Sequence, residues 1–308
     1  MNITPIHADL GARVGGVDLA HPLDEATFRA IFDAFQEHSV LVFPDQRLTD
    51  EQQMAFSRRF GPLETTIRAA GRENRLHPNL VDLSNLDPEN ERRLMGWSDR
   101  RMVYQSGNQL WHSDSSFKPV PALASLLSAR EVPPAGGETE FASMRQAWAT
   151  LPEEVQRRLE GRVAVHSILY SRSTIAPGLF DGDEAREQPP VRQALVRANP
   201  VHGRKSIYVG SHAWYVEGMG YEESRQLLDE LLAHATRPAC VYQHRWRQWD
   251  LVMWDNRCVL HRGRPWDAVR HRRVMRRTTI AGDGPTADPP FATRTPVWDG
   301  IIPEGVGV

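Results

Sequence analysis

His112 and Asp114 stand two residues apart in the stretch Gly107-Asn108-Gln109-Leu110-Trp111-His112-Ser113-Asp114-Ser115-Ser116-Phe117. On an extended strand, side chains two apart point to the same face, so an imidazole nitrogen and a carboxylate oxygen are offered to one point in space. These are two of the three groups of the 2-His-1-carboxylate set that holds non-haem Fe(II) and leaves coordination positions open. The pair alone carries little weight, because a chain with twelve histidines yields roughly one His-x-Asp by chance. A third donor has to come from a distant strand. His261 is the best of the remaining histidines. It follows a strand (Leu251-Val252-Met253-Trp254), a turn (Asp255-Asn256-Arg257) and a second strand (Cys258-Val259-Leu260).

Arginines crowd the sequence beyond it: Arg262, Arg264, Arg270, Arg272, Arg273, Arg276 and Arg277. Such a run ordinarily makes a solvated or nucleic-acid-facing surface. Strand alternation argues otherwise, since it puts Arg273, Met275 and Arg277 on one face and Val274 and Arg276 on the other. Guanidinium groups beside a metal suit planar, two-pronged recognition of carboxylates. The bland reading holds for other residues. His166, His212 and His244 read as satisfied structural histidines, Trp254 as either a pocket wall or a core aromatic, and Trp246 and Trp249 as core or interface residues.

The elements that must position these groups are legible from periodicity. Phe28, Ile31, Phe32 and Phe35 recur at helical spacing within a helix from Asp24 to Glu37. Thr49-Asp50-Glu51-Gln52 is a capping box opening a helix through Met54, Phe56 and Phe60 that Gly61-Pro62 stops. Ser39 to Phe43 is a buried strand ended by Pro44. Gly11 to Leu19 reads as short strands around a glycine turn. Further strands are expected at Leu80–Leu83, Ala122–Ala129, Glu138–Phe141, Ser206–Val209, Cys240–Trp246, Leu251–Trp254, Cys258–His261 and Val274–Ala281. Helices are expected at Met144–Thr150, Pro152–Leu159 and Tyr221–Ala235. Residues 65–106 and 172–190 lose the pattern, and loops that long are usually functional, so both are candidate lids. Short strands flanking both His112 and His261 imply a mainly β fold with helical additions, a sandwich or jelly roll.

The whole chain sets the outer bounds. Its 308 residues are 40% hydrophobic and 25% charged, enough for a sizeable core, and nothing reads as a linker, so 1–308 is taken as one domain with a core of about 11–281. The formal charge of −2 supplies no basic field for nucleic acid or membrane. Two cysteines, Cys240 and Cys258, make no disulfide framework, and a reducing cytoplasm is the natural setting. The N-terminus lacks the apolar core of a signal peptide, and no window approaches a membrane span.

Five ordered blocks carry a resemblance: Trp111-His112-Ser113-Asp114, Gly136-Gly137-Glu138-Thr139, Trp254-Asp255-Asn256-Arg257, His261-Arg262, and Arg273-Val274-Met275-Arg276-Arg277. In this order they resemble the Fe(II)/2-oxoglutarate dioxygenases of the taurine dioxygenase and 2,4-dichlorophenoxyacetate dioxygenase family. The likeness runs from about Gly11 to Ala281, and the blocks Asn108–Phe117 and Leu251–Arg264 resemble the 2,4-dichlorophenoxyacetate branch. It implies a double-stranded β-helix (jelly roll, cupin-like), with His112, Asp114 and His261 as iron ligands. It also implies that Arg273 and Thr139 hold the distal carboxylate of 2-oxoglutarate beside Trp254. Arg272 competes with Arg273, because the spacing from His261 is one residue longer than the family's usual one. Fe(II), 2-oxoglutarate and O2 would be used, with succinate and CO2 as products.

By the same resemblance Arg277 faces a small anionic substrate, with Ser115, Asn108 and Arg68 near it. An aryloxyalkanoate fits, and hydroxylating its α-carbon would release a phenol and glyoxylate. A sulfonate or alkyl-sulfate oxygenase, a zinc hydrolase on the same trio, and a non-catalytic jelly-roll binding module are the alternatives. A homo-oligomer is expected, as is common in the family.

Overall fold

The computed structural model describes residues 1–65, 76–179 and 185–292. Along the chain the strands are β1 (Asn2–Pro5), β2 (Ala12–Gly15), β3 (Val40–Phe43), β4 (Val81–Asp82), β5 (Ala124–Glu131), β6 (Thr139–Ser143), β7 (Val163–His166), β8 (Val191–Ala194), β9 (Val196–Ala198), β10 (Lys205–Ile207), β11 (Ala213–Val216), β12 (Val241–His244), β13 (Leu251–Asp255), β14 (Val259–Gly263) and β15 (Val274–Ile280). The helices are α1 (Glu25–His38), α2 (Asp50–Arg58), α3 (Arg100–Ser106), α4 (Met144–Ala149), α5 (Glu153–Leu159), α6 (Ile168–Ser173) and α7 (Tyr221–Ala235).

Seven strands form the main sheet in the order β1-β2-β3-β13-β5-β15-β4. Every neighbouring pair in it is antiparallel except β2 with β3. A smaller antiparallel sheet, β12-β6-β14, carries His261. Strand periodicity sorts the main sheet's side chains into two cores. Leu41 and Phe43 of β3 and Leu251 and Met253 of β13 face α1 and α2, where they meet Phe35 and Phe56. Their alternates Val40, Val42, Val252 and Trp254 face the smaller sheet, where they meet Phe141 and Val259. The far side of the smaller sheet, through Ala142 and Leu260, packs against α4 and α7. The result is helices, sheet, sheet and helices in layers, with each fully buried aliphatic side chain contributing about 1.5–3 kcal/mol.

The outer helices start where local chemistry says they should. Asp24 accepts from the Thr27 N–H at 2.8 Å, and Thr49 and Gln52 exchange both bonds of the capping box. The aromatic face of α1 closes on Phe60, 5.1 Å from Phe28 and 5.8 Å from Phe35. The mainly β core with helical additions agrees with the expectation, and among the described residues the sheets do not close into a barrel.

Several elements lie outside that expectation. Strands β1, β7, β8, β9 and β11 and helices α3 and α6 are present where none is anticipated. Helix α3 falls in the stretch 65–106 read as patternless; only Met102 of its seven residues is buried, so it shows no periodicity to detect. It forms because Asp99 caps it, accepting from Arg101 N–H at 2.9 Å. Helix α6 runs into the second patternless stretch, 172–190, and is begun by Ser167, which accepts from Tyr170 N–H.

Candidate active site

His112 and His261 are joined by the backbone before any metal is considered. They form an antiparallel bridge in which each N–H donates to the other's carbonyl, at 3.0 and 2.8 Å. Their rings are 4.1 Å apart between centroids. The Nδ1 of His112 lies 2.8 Å from the Leu110 carbonyl, which makes Nδ1–H the donor and leaves Nε2 with its lone pair. That Nε2 is 3.8 Å from Asp114 Oδ1, and the Nε2 of His261 is 3.7 Å from Asp114 Oδ2. These separations are too wide for hydrogen bonds. One donor atom from each of the three buried residues lies within 4.8 Å of the others, which is the arrangement of ligands around a single ion.

The electrostatics prepare the same state. Burial of Asp114 opposes its ionisation, but Arg277, then His261 and His112, and the Ser125 hydroxyl outweigh it and hold the carboxyl at about 2. Burial, against the pull of Asp114, lowers His112 to about 4. Burial and then the neighbouring His112 push His261 well below its ordinary value. The site therefore offers one carboxylate and two neutral imidazoles near neutral pH, the protonation a divalent ion requires.

A hydrogen-bonded frame fixes Asp114, and its centre is a residue that sequence reasoning quoted but gave no role. Asn256, fully buried in the turn between β13 and β14, accepts through Oδ1 from Asp114 N–H at 3.1 Å and from Trp254 Nε1 at 3.0 Å. Its Nδ2 donates to Ser125 Oγ at 2.9 Å, and Ser125 donates in turn to Asp114 Oδ2 at 2.7 Å. Ser113 closes the frame by donating to the Asn256 carbonyl at 2.6 Å. Partners of this kind orient metal ligands and tune their basicity.

A cavity opens over the imidazoles, and its lining includes His112, His261, Trp254, Thr139, Arg273, Asn108 and Arg277. Arg273 is buried, and its Nε and Nη2 both donate to the Gly137 carbonyl, at 3.3 and 3.2 Å. Its guanidinium stacks over Trp266 at 5.2 Å. Among the described residues no carboxylate pairs with it, and burial alone brings its pKa down to about 10. A buried cation in that condition is a receptor for an anion. Thr139, at the start of β6, accepts from Trp246 Nε1 at 3.0 Å, so its own hydroxyl proton is free for a ligand oxygen. Arg272, the competing choice, points the other way, 42% exposed with its Nε 2.9 Å from Glu131.

The sequence profile of the family described as "Taurine catabolism dioxygenase TauD, TfdA family" matches residues 2–279. The chain belongs to this family. It is 44% identical to the alpha-ketoglutarate-dependent 2,4-dichlorophenoxyacetate dioxygenase of Cupriavidus pinatubonensis over 278 residues, 90% of this chain and 96% of that one. It is 40% identical to the (S)-phenoxypropionate/alpha-ketoglutarate-dioxygenase of Sphingobium herbicidovorans, covering 92% and 95%. The crystal structure of AAD-2 in complex with Mn(II) and N-oxalylglycine superposes with a TM-score of 0.86 at 44% identity, over 94% of this chain and 100% of that one. As a TauD/TfdA-family enzyme the chain is an Fe(II)- and 2-oxoglutarate-dependent dioxygenase that consumes O2.

The substrate side of this dioxygenase differs in part from expectation. Arg277 lines the cavity, but one of its terminal nitrogens is engaged with Asp114 Oδ1, while its buried Nε has no partner among the described residues. Asn108 also lines the cavity, from the short 3-10 turn Gly107–Gln109. Ser115 does not belong with them. Its backbone is left-handed (φ 57°), which turns the hydroxyl to donate to Glu64 at 2.7 Å, beside the Lys118–Glu64 ion pair. Arg68 lies outside the described residues. The apolar wall comes from residues that sequence reasoning missed, Leu83, Trp97 and Trp266, with Gln105 beside them. Three of these sit in the stretch 65–106, where a long irregular segment was itself the available signal. His166, His212 and His244 bond Ser116, Ser171 and Asp250, as structural histidines do.

Proposed function

We propose that this dioxygenase oxidises an aryloxyalkanoate, with His112, Asp114 and His261 holding Fe(II) and with Arg273 and Thr139 receiving the distal carboxylate of 2-oxoglutarate. The observation that carries the reading is Arg273. It is a buried guanidinium with no carboxylate partner among the described residues, and it opens on the same cavity as two imidazoles whose Nε2 atoms converge on Asp114. When bound, Fe(II) with 2-oxoglutarate and O2 supplies oxidative decarboxylation to succinate and CO2 and delivers one oxygen atom to a substrate C–H bond.

The protein's own residues do the rest. Asn256 and Ser125 hold the Asp114 carboxylate in orientation, and Arg277 keeps it ionised. The unpartnered Nε of Arg277 and the amide of Asn108 offer polar contacts to a substrate anion. Trp97 and Trp266, edge to face at 5.0 Å, and Leu83 give an aromatic body somewhere to lie. Trp254 packs against His261 at 4.6 Å and forms the inner wall. Hydroxylation of an aryloxyacetate at the carbon between the ether oxygen and the carboxylate yields a hemiacetal, which collapses to a phenol and glyoxylate. The names of the relatives from Cupriavidus and Sphingobium support the aryloxy body.

The wider reading goes with it. The seven-stranded sheet and β12-β6-β14 are read as the two halves of a double-stranded β-helix, since they pack face to face through Trp254, Phe141 and Met275. Residues 1–308 are read as one domain, because β1 and β15, from opposite ends of the fold, share one sheet. Two buried free thiols, Cys240 and Cys258, suit the cytoplasm, and no helix among the described residues is long and apolar enough to cross a membrane. A homo-oligomer without a nucleic-acid partner completes the reading; the charge of −2 supports the second half of it.

The test is oxygen consumption and succinate formation by purified protein with ferrous iron, 2-oxoglutarate and a panel of aryloxyalkanoates and sulfonates. Release of 2,4-dichlorophenol from 2,4-dichlorophenoxyacetate, one equivalent per succinate, is expected. Turnover of taurine with no response to any aryloxyalkanoate refutes the substrate assigned.

A further inference from the structure

A second buried guanidinium lies beside the site with two of its nitrogens unpartnered among the described residues. Arg172, near the end of α6, is 4% exposed, and among the described residues its Nε and Nη1 have no hydrogen-bond partner. It stacks over the Tyr104 ring at 5.0 Å. On its other side it lies flat against Gly107, where a Cβ would fall 2.2 Å from its Cζ and Nη1. Gly107 opens the 3-10 turn whose next two residues, Asn108 and Gln109, line the cavity. The residue before it, Ser171, hydrogen-bonds His212 at 2.8 Å, and the His212 ring meets His112 at 6.1 Å. Arg172 therefore stands directly behind the cavity wall on the His112 side.

A charge there is not idle. Leaving a guanidinium buried and unpaired is costly, and an interior cation acts over distance because the medium around it screens poorly. Burial chiefly disfavours its ionisation, Tyr104 favours it, and Arg277 and Asp114 then pull in opposite directions. Among the described residues Asp114 is the one carboxylate of the ligand set, and it is already engaged by Arg277. Among the described residues no carboxylate is then left to balance Arg172.

We infer that Arg172 is a positioning residue of the prime-substrate site: with Arg277 it sets a preference for an anionic group at the Asn108 end of the cavity. This rests on the substrate reading above. Arg277 supplies the contact, and Arg172 supplies the unneutralised charge behind Gly107 and Asn108 that a substrate carboxylate relieves.

The experiment measures equilibrium binding of 2,4-dichlorophenoxyacetate and of its neutral amide by calorimetry. The protein is loaded with Mn(II) and N-oxalylglycine, so that no turnover occurs. Arg172→Gln is expected to weaken the acid roughly ten- to a hundredfold and to leave the amide unchanged, and Arg172→Lys is expected to recover most of the loss. Gly107→Ala, which displaces the guanidinium without removing it, should also weaken the acid selectively, and it serves if Arg172→Gln does not fold. Acid affinity unchanged in the substituted proteins, or acid and amide weakened equally, overturns the inference. Failure of the wild-type protein to bind or oxidise any aryloxyalkanoate overturns the substrate reading and this inference with it.

Discussion

Adjacent arginines meet opposite fates just ahead of β15. Arg272 ends in solvent on Glu131, and Arg273 is buried at the cavity beside Trp266 with the Gly137 carbonyl for company. Removing a buried group that pairs with a ligand carboxylate costs about 2–3 kcal/mol, whereas an exposed ion pair contributes about 0–1 kcal/mol. Arg273→Ala should therefore raise the KM for 2-oxoglutarate by roughly thirty- to a hundredfold, and Arg272→Ala by less than about threefold; steady-state titration of 2-oxoglutarate separates them. The reverse ranking would move the cosubstrate site by one residue. Residue types and strand spacing offered His112, Asp114 and His261 as a set and the resemblance pointed to Arg273; the structure brings the three donors within 4.8 Å of one another and puts Arg273 on the same cavity as the two imidazoles. Backbone handedness was not legible: nothing in Asp114-Ser115-Ser116 announces a left-handed Ser115, so its hydroxyl was assigned to the cavity and in fact serves Glu64. Arg172 was equally silent, since an arginine that opens the polar stretch 172–190 carries no sign of burial.

At the scale of elements the β13-turn-β14 unit does most of the positioning. Its first strand pairs with both β3 and β5, its turn carries Asn256, and its second strand delivers His261. A buried ion pair, Asp255 with Arg257 at 2.8 Å, stiffens the same turn. Asn256→Ala strips partners from the Asp114 amide, the Trp254 indole and the Ser125 hydroxyl at once. It should weaken Fe(II) about ten- to a hundredfold, measured as the ferrous iron needed for half-maximal activity. Unaltered iron dependence would show that Asp114 keeps its orientation by other means. The strands and long helices were readable because an unbroken apolar run marks β3 and β13 and a 3.6-residue stripe marks α1 and α7. The short pieces α3 and α6 are started by single side-chain caps, and β7 is paired with strands distant in sequence, none of which leaves a periodic trace.

The molecule as a whole should weaken in mild acid for a reason separate from its chemistry. His166 is buried against the Tyr208 ring at 5.6 Å, with the Ser116 hydroxyl at 3.1 Å. Burial, and then the charge of Arg197, push it down to about 3. Its folded value lies below its unfolded one, so the unfolded chain takes up the proton first as pH falls. The stability is fully present above pH ~6.5 and is lost below it, by up to about 1.4 kcal/mol per pH unit for this one group. Denaturant midpoints at pH 7, 6 and 5 should fall steadily, and His166→Gln should flatten the decline; an identical slope in both proteins would remove His166 from the account.

The bridge between His112 and His261 has a consequence for metal choice. The two backbone positions that carry the imidazoles are tied by reciprocal amide bonds, so their spacing is set by the sheet, not by whatever ion arrives. A rigid, ready-made cradle of two nitrogens and one oxygen cannot reshape itself around a favoured guest, and intrinsic affinity among first-row divalent ions rises past iron toward copper. Discrimination then falls to the keto-acid that shares the ion and to the supply of metal, so tighter-binding, catalytically inert cations become this enzyme's natural poisons.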